Sequence, residues 1–366
     1  MTAGFYAPLP PQRTGVADYA AALLEALRRH GDVRYATAHC DAALYHLGNN
    51  RLHRDIYRRA LAHPGVVVLH DAVLHHFLLG QLGRDAYIEE FVFNYGGWNR
   101  GLAEELWEDR AGSGSDTRYF RFPMIKRIAQ CSRAVVVHNP AAARVVKEHA
   151  PDTPVAEIPH LYSPQGLASE AAALRFRASL GLPASSFVFG VFGYLRESKR
   201  LMSILRVFAR LHHERPNTAL LVAGDFVSTD LERAARPLVR GPGIVYRPYL
   251  SARDFALAAR AVDACINLRW PTAGETSGIS INLMGIGKAV LVTESEESAG
   301  LPEEACLRVA PGIEEPDSLW SHMVLLTSLP EVGRAIGQRA AGHVGKRHNL
   351  ERVAQQYWNT LCEYRC

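Results

Sequence analysis

No stretch of this 366-residue chain approaches the roughly 20 consecutive apolar residues that a bilayer-spanning helix requires. The opening residues, MTAGFYAPLPPQRTG, lack a cationic segment followed by an apolar one. No secretory signal is therefore expected, and a cytoplasmic protein is the default expectation. A large excess of charge of one sign is lacking as well. Lys and Arg number 41 against 37 Asp and Glu, a formal net charge of +4, well short of a nucleic-acid footprint. No nucleic-acid partner is expected, while an anionic small molecule or peripheral contact with the inner face of an anionic membrane stays compatible. The six cysteines (Cys40, Cys131, Cys265, Cys306, Cys362, Cys366) show no metal-ligand spacing. Cys362 and Cys366 fall on one expected terminal helix, but two thiols alone make a poor zinc site. All six read as reduced and structural. No internal repeat at solenoid periods is found.

What is present is a long alternation of apolar strand-like runs with helical patterns, in a chain long enough for two ordinary domains. Strands are expected at Gly4–Ala7, Val33–Ala38, Ala43–Leu47, Val66–His70, Ala134–His138 and Val155–Ile158, with an amphipathic helix over Val16–Arg29. Residues 1–165 thus form a first α/β domain with a mostly parallel sheet. Gly112-Ser113-Gly114-Ser115-Asp116 reads as a mobile loop, ahead of the basic aromatic segment Tyr119–Pro123, which either meets a partner or packs. Ser163-Pro164-Gln165-Gly166 reads as a linker. A second domain, 166–345, then alternates strand Phe187–Phe192, helix Met202–His213, strand Ala219–Ala223, helix Leu231–Val239, strand Ile244–Arg247, helix Ala252–Ala261, strand Ala264–Leu268, a short helix, strand Ala289–Val292 and strand Leu307–Ala310. A final helix within 346–366 is expected to pack back on the first domain.

The organising stretch is Val262–Thr293, a strand, a small-residue loop, a helix start and a second strand, hence a βαβ unit. Its loop, Pro271-Thr272-Ala273-Gly274-Glu275-Thr276-Ser277-Gly278, lies at the carboxyl edge of a parallel sheet, where α/β proteins bind ligands. Thr276, Ser277 and Gly278 offer free backbone amides at a helix N-terminus, which suits a phosphate or diphosphate. Glu275 would repel phosphate and makes better sense as an acceptor for hydroxyls on whatever the phosphate carries. A second loop, Gly193-Tyr194-Leu195-Arg196-Glu197-Ser198-Lys199-Arg200, puts cations at a helix start, where they oppose the dipole and call for an anion. In the first domain, His70 and Asp71 end a core strand. A lone histidine there is ordinarily a satisfied core residue. His75 and His76 follow, but without a clean third ligand at helical spacing a metal site is not expected. Gly15 would let the first βα turn approach a ligand closely.

These residues carry a resemblance. The chain resembles the family-four (group 1) retaining glycosyltransferases of GT-B architecture over nearly its whole length. Pro10–Tyr19 is similar to their N-terminal glycine loop and first helix. Ala43–Asn50 and Val66–Asp71 are similar to their strand ends, Gly193–Lys199 to their cationic loop and Gly274–Gly278 to their donor-sugar motif. The resemblance implies two Rossmann-like domains with parallel sheets facing a central cleft. It implies transfer of a hexose or deoxyhexose from a nucleoside-diphosphate sugar to a glycan, lipid-linked or small-molecule acceptor, with no metal and no other cofactor. It gives Lys199, Arg196 and the amides of 276–278 to the diphosphate, Glu275 and His70 to the donor sugar, and Gly15 to the space beside them. Two departures stand out: Leu283 occupies the place of a ribose-binding glutamate, and Tyr194 that of an arginine, which Arg196 would replace. The loss of the glutamate favours a deoxyribose nucleotide. Two other readings stay open: a non-catalytic nucleotide-sugar-binding protein, and a GT-B phosphorylase or epimerase.

Overall fold

The computed structural model describes residues 1–164 and 169–365, so the expected linker at Ser163–Gly166 lies partly outside the described residues. By internal contact the chain divides into two units. Unit 1 comprises Met1–Leu161, Pro271–Thr276 and His348–Cys366, and unit 2 comprises Tyr162–Trp270 and Ser277–Arg347.

Unit 1 is built on β1 (Thr2–Tyr6), β2 (Asp32–Tyr35), β3 (Ala42–Leu47), β4 (Val66–Leu69), β5 (Ala134–Val137) and β6 (Val155–Glu157). They form one sheet in the order β2-β1-β3-β4-β5-β6, every pair parallel. Parallel strands covered on both faces read as unbroken apolar runs, and alternate residues go to opposite layers. Leu44, Val66, Val68 and Val136 join the layer of Leu23 and Leu27. Tyr45, Val67, Leu69 and Val135 join that of Phe77 and Phe91. The helix Leu350–Glu363 packs on the helix Gly15–Leu27, completing the first of these layers.

Unit 2 is built on β7 (Phe187–Phe192), β8 (Thr218–Ala223), β9 (Ile244–Arg247), β10 (Ala264–Asn267), β11 (Ala289–Thr293) and β12 (Leu307–Val309). The order is β12-β11-β10-β7-β8-β9, again all parallel. Read outward from β7, this is the doubly wound order in which the chain reverses direction between β7 and β10. In such sheets the ligand crevice opens outside the carboxyl ends of the strands at that reversal. The corresponding reversal in unit 1 lies between β1 and β3.

The structure bears on three of the sequence expectations. The helix expected to run to Val239 stops at Ala235 and resumes as a single 3₁₀ turn at Leu238–Arg240, because Pro237 cannot donate to the helical ladder. Gly112–Asp116 continues a 3₁₀ turn at Asp109–Gly112 and is anchored by Arg118, which pairs with Glu105, Asp109 and Asp116. The aromatic segment after it packs rather than projecting: Tyr119 is fully buried and Phe122 lies 5.0 Å from both Phe91 and Tyr95, ring centre to ring centre.

Candidate active site

In unit 1, the ends of β3, β4 and β5 deliver His46, His70 and His138, all buried. Their protonation pattern follows from one fixed acceptor. His138 Nδ1 lies 2.9 Å from the carbonyl oxygen of Ile158, which can only accept, so Nδ1 carries the proton. Burial holds this imidazole neutral, its pKa pushed down to about 4, which leaves Nε2 as an acceptor. His70 Nδ1, 3.3 Å away, must then donate to it. Burial, reinforced by His138 and His46, lowers the His70 pKa well below the usual range, so its Nε2 accepts from His46 Nδ1 at 3.0 Å. Both ring nitrogens of His70 are thus held by neighbouring histidines. Tyr19 covers the group, its ring 4.8 Å from His70, 5.4 Å from His138 and 4.7 Å from His160. Its hydroxyl meets that of Tyr357 at 2.9 Å. His75 and His76 are bound separately, to the Tyr87 hydroxyl at 2.8 Å and the Ser113 carbonyl at 3.0 Å. Among the described residues no group of three or more His, Cys, Asp or Glu is placed to hold a metal ion.

The loop bearing Glu275 belongs to unit 1 and is bonded to itself and to the ends of β4 and β5. Glu275 Oε2 accepts from the Ala273 amide at 2.8 Å and the Thr272 hydroxyl at 3.2 Å, and the Thr272 hydroxyl accepts from the Gly274 amide at 3.0 Å. The Ala273 carbonyl accepts from the Val73 amide at 3.0 Å. Gly274 has φ +76, and a Cβ there would come within 2.6 Å of the Ala72 methyl, so glycine is required on two counts. Asn139, the N-cap of the helix Pro140–His149, donates its amide to the Gly274 carbonyl and the Thr276 hydroxyl, each at 3.1 Å. Gly15 opens the helix Gly15–Leu27 behind its Thr14 cap, is exposed, and would meet nothing within 4 Å if it carried a Cβ. The chain itself therefore does not demand its smallness.

In unit 2, the ends of β7 and β10 meet at the sheet's reversal point. Lys199 is buried at 4% exposure and donates its ammonium to the Phe192 carbonyl at the end of β7. A Cβ on Gly193, which has φ +87, would lie 3.0 Å from Lys199 Nζ and would overlap the side chain of Ile279. Gly193 thus lets Lys199 and the first turn of the helix Gly278–Gly285 close on one another. That helix is capped by Ser277, whose hydroxyl accepts from the Ser280 amide at 3.3 Å. Asn267, at the end of β10, holds the cap by donating to the hydroxyls of Ser277 and Ser280, both at 2.7 Å. Arg269 Nη2 reaches the Ser277 hydroxyl at 3.5 Å. The Trp270 amide donates to the Ser198 carbonyl at 2.7 Å, joining the two loops.

Two details differ from the sequence expectation. Helical amides begin at Gly278, so the first turn presents Gly278 and Ile279, whereas Thr276 is engaged with Asn139 in unit 1. Of the three cations at Arg196–Arg200, Arg200 already has its anion, the buried carboxylate of Glu315 at 2.9 Å, while Arg196 is exposed. Leu283 is 1% exposed within the apolar layer of unit 2. Sequence reasoning passed over Asn139, His138, Asn267 and Arg269 as site residues, and took His46 only as part of a polar strand end. Their shared signal is a polar residue at or just after the carboxyl end of a core strand.

No protein-family model matches the chain, and no curated protein matches it. Solved structures do. Sucrose-phosphate synthase from Thermosynechococcus elongatus aligns over 99% of this chain and 98% of its own, with TM-score 0.70 and 15% identity. Anabaena HepE in complex with UDP-glucose aligns over 99% and 100%, with TM-score 0.67 and 12% identity. WaaG, a glycosyltransferase involved in lipopolysaccharide biosynthesis, aligns over 99% of each chain, with TM-score 0.63 and 12% identity. At such identities the likeness is one of fold, and the fold of this chain, with its two six-stranded parallel sheets, is GT-B.

Proposed function

We propose that the chain is a glycosyltransferase that moves a hexose or deoxyhexose from a nucleoside-diphosphate sugar to an acceptor hydroxyl with retention of configuration. The observation that carries this reading lies in unit 2. At the reversal point of the sheet, a buried lysine and a capped helix N-terminus converge around Gly193, and both favour an anion. The HepE structures, which hold UDP, UDP-glucose, or UDP with glucose, support a nucleotide sugar as that anion.

In the proposed reaction the acceptor oxygen attacks the anomeric carbon from the face of the leaving group. The bond from that carbon to the diphosphate oxygen breaks, and the leaving phosphate takes the acceptor proton, so the products are a glycoside and a nucleoside diphosphate. Lys199, Arg196 and the first-turn amides stabilise the charge that grows on the diphosphate, the main electrostatic contribution. No protein-held metal takes part in this scheme. Glu275 stands three residues before Gly278 and on this short tether accepts hydroxyls of the donor sugar. His70 serves as a neutral floor for that sugar, since its imidazole nitrogens are held by His46 and His138. Gly15 leaves room for the diphosphate and the acceptor. Buried Leu283 offers no ribose ligand, which favours a deoxyribose nucleotide such as dTDP.

Incubation with a panel of UDP-, GDP- and dTDP-sugars, with detection of released nucleoside diphosphate, tests the reading. Turnover should require Glu275: Glu275→Gln is expected to lose about 10²-fold or more in rate with the fold intact. Unchanged turnover would contradict the assignment of that residue. Calorimetric preference for UDP or GDP over dTDP would remove the deoxyribose assignment and leave the transferase reading standing.

A further inference from the structure

We infer that Asn139 is a positioning residue for Glu275, acting from the end of β5 on the loop that carries the carboxylate; the inference rests on the transferase reading above. Its side-chain orientation is fixed by chemistry. Oδ1 accepts from the Ala142 amide at 2.8 Å, and an amide N–H can only donate, so the other end of the group must be the NH₂. That NH₂ has two protons and two acceptors, the Gly274 carbonyl and the Thr276 hydroxyl, each at 3.1 Å. These belong to the residues immediately before and after Glu275. One side chain therefore ties down the residues on both sides of the carboxylate, Gly274 through its main-chain carbonyl and Thr276 through its hydroxyl, across 135 residues of sequence.

The remaining anchors of the loop cannot do this. Thr272 and the Ala273 amide bind the carboxylate itself, and the contacts of Ala273 and Gly274 with Ala72 and Val73 fix only the residues before it. Thr276 is the last residue of the segment Pro271–Thr276 that is assigned to unit 1, and Ser277 is the first of the segment that returns to unit 2 and caps the helix Gly278–Gly285. On the Thr276 side, it is the hydrogen bond from Asn139 that ties the loop to the end of β5. A carboxylate that must meet sugar hydroxyls within hydrogen-bond distance tolerates little drift: a displacement of about 1 Å costs on the order of 10²-fold in rate.

The test separates this role from simple helix capping. Asp and Ser both serve as N-caps, so Asn139→Asp and Asn139→Ser keep the helix Pro140–His149 while removing the NH₂. Both variants are expected to lose about 10²-fold in kcat with donor KM, nucleoside-diphosphate affinity and melting temperature unchanged. Thr276→Val should lose part of that, and adding it to Asn139→Ser should cost no more than Asn139→Ser alone, because the two share one interaction. Wild-type kcat in both Asn139 variants, alongside an inactive Glu275→Gln, would overturn the inference and leave the transferase reading intact. A melting temperature that falls in step with kcat would overturn it in favour of a structural cap. A fully active Glu275→Gln would overturn the inference, since no catalytic carboxylate would remain to be positioned, and would leave the transferase reading standing; release of no nucleoside diphosphate from any sugar donor by the wild-type protein would overturn the transferase reading instead.

Discussion

Lys199 and Arg200 are neighbours in sequence and both cationic, yet the fold gives them different work. Arg200 adopts a left-handed backbone conformation, φ +60, and is paired with Glu315, whose carboxylate is fully buried. Removing either partner would strand a charge, so this pair belongs to the architecture of unit 2. Lys199 donates to the main-chain carbonyl of Phe192 at the end of β7, which puts its ammonium at the reversal point, where a diphosphate would accept a charge-assisted hydrogen bond from it. Lys199→Ala is therefore expected to weaken nucleoside-diphosphate binding by about 1.5–3 kcal/mol, the range for hydrogen bonds to charged groups, which is roughly 10- to 100-fold. Titration calorimetry with the diphosphate measures this directly, and an unaltered dissociation constant would move the anion site elsewhere. Salt sharpens the comparison: a buried charge contact is screened little, so the wild-type advantage should persist as ionic strength rises.

Among the elements, the helix Leu350–Glu363 is the one whose role depends most on distant sequence. Tyr357 is fully buried beneath the helix Gly15–Leu27, hydrogen-bonded to Tyr19, and Trp358 covers Gly31 so closely that a Cβ there would overlap its ring. Tyr357→Phe removes only the hydroxyl pair and should cost about 1 kcal/mol. Tyr357→Ala should cost about 3–5 kcal/mol, the range for emptying a buried aromatic site. Chemical denaturation of the two variants measures both, and equal losses would mean that the hydroxyl pair, rather than packing, holds this helix.

What could be read from the sequence divides along the same line. Strands such as Phe187–Phe192 and Ala219–Ala223 announced themselves because burial on both faces leaves an unbroken apolar run, a purely local signal. Lys199 and Glu275 stood out as candidates for a similar reason, since each stands in a loop whose own composition marks it. Asn139 and His138 were not, because their meaning lies in partners 135 and 68 positions away, and no local pattern distinguishes a cap that also reaches a loop from a cap that does not. The assignment of Pro271–Thr276 to unit 1 was illegible for the same reason. Connectivity would put it with the strands on either side, and only contacts with Ala72, Val73 and Asn139 draw it away.

Across the whole molecule, buried neutral histidines are concentrated in unit 1, and this gives the two units different responses to acid. His46, His53, His70, His138 and His160 all have pKa values pushed down, with burial as the leading cause: to about 4 for His53 and His138 and about 3 for His160. In unit 2, His343 is lowered as well, by burial first. A histidine whose folded pKa lies below its unfolded value of about 6.5 binds a proton in the unfolded chain before it binds one in the fold. Its contribution to stability is complete above pH 6.5 and is lost as the pH falls from there toward the folded pKa. Each such group removes about 1.4 kcal/mol per pH unit within that window. For His53 and His138 the window spans pH 6.5 to about 4, and for His160 it extends to about 3. The three linked imidazoles allow no easy escape, because a second proton on His138 would face the donating Nδ1 of His70, and one on His70 would face that of His46. Unit 1 should therefore loosen before unit 2 as the pH is lowered from 7.5 to 5. Native-state hydrogen exchange, corrected for the intrinsic pH dependence of the chemical rate, reads this out segment by segment. Amides of β3, β4 and β5 should lose protection at a pH where those of β7, β8 and β10 keep theirs. Equal loss in both sheets, or a stability that stays flat from pH 7.5 to 5, would show that the histidine cluster does not set the acid limit of the fold.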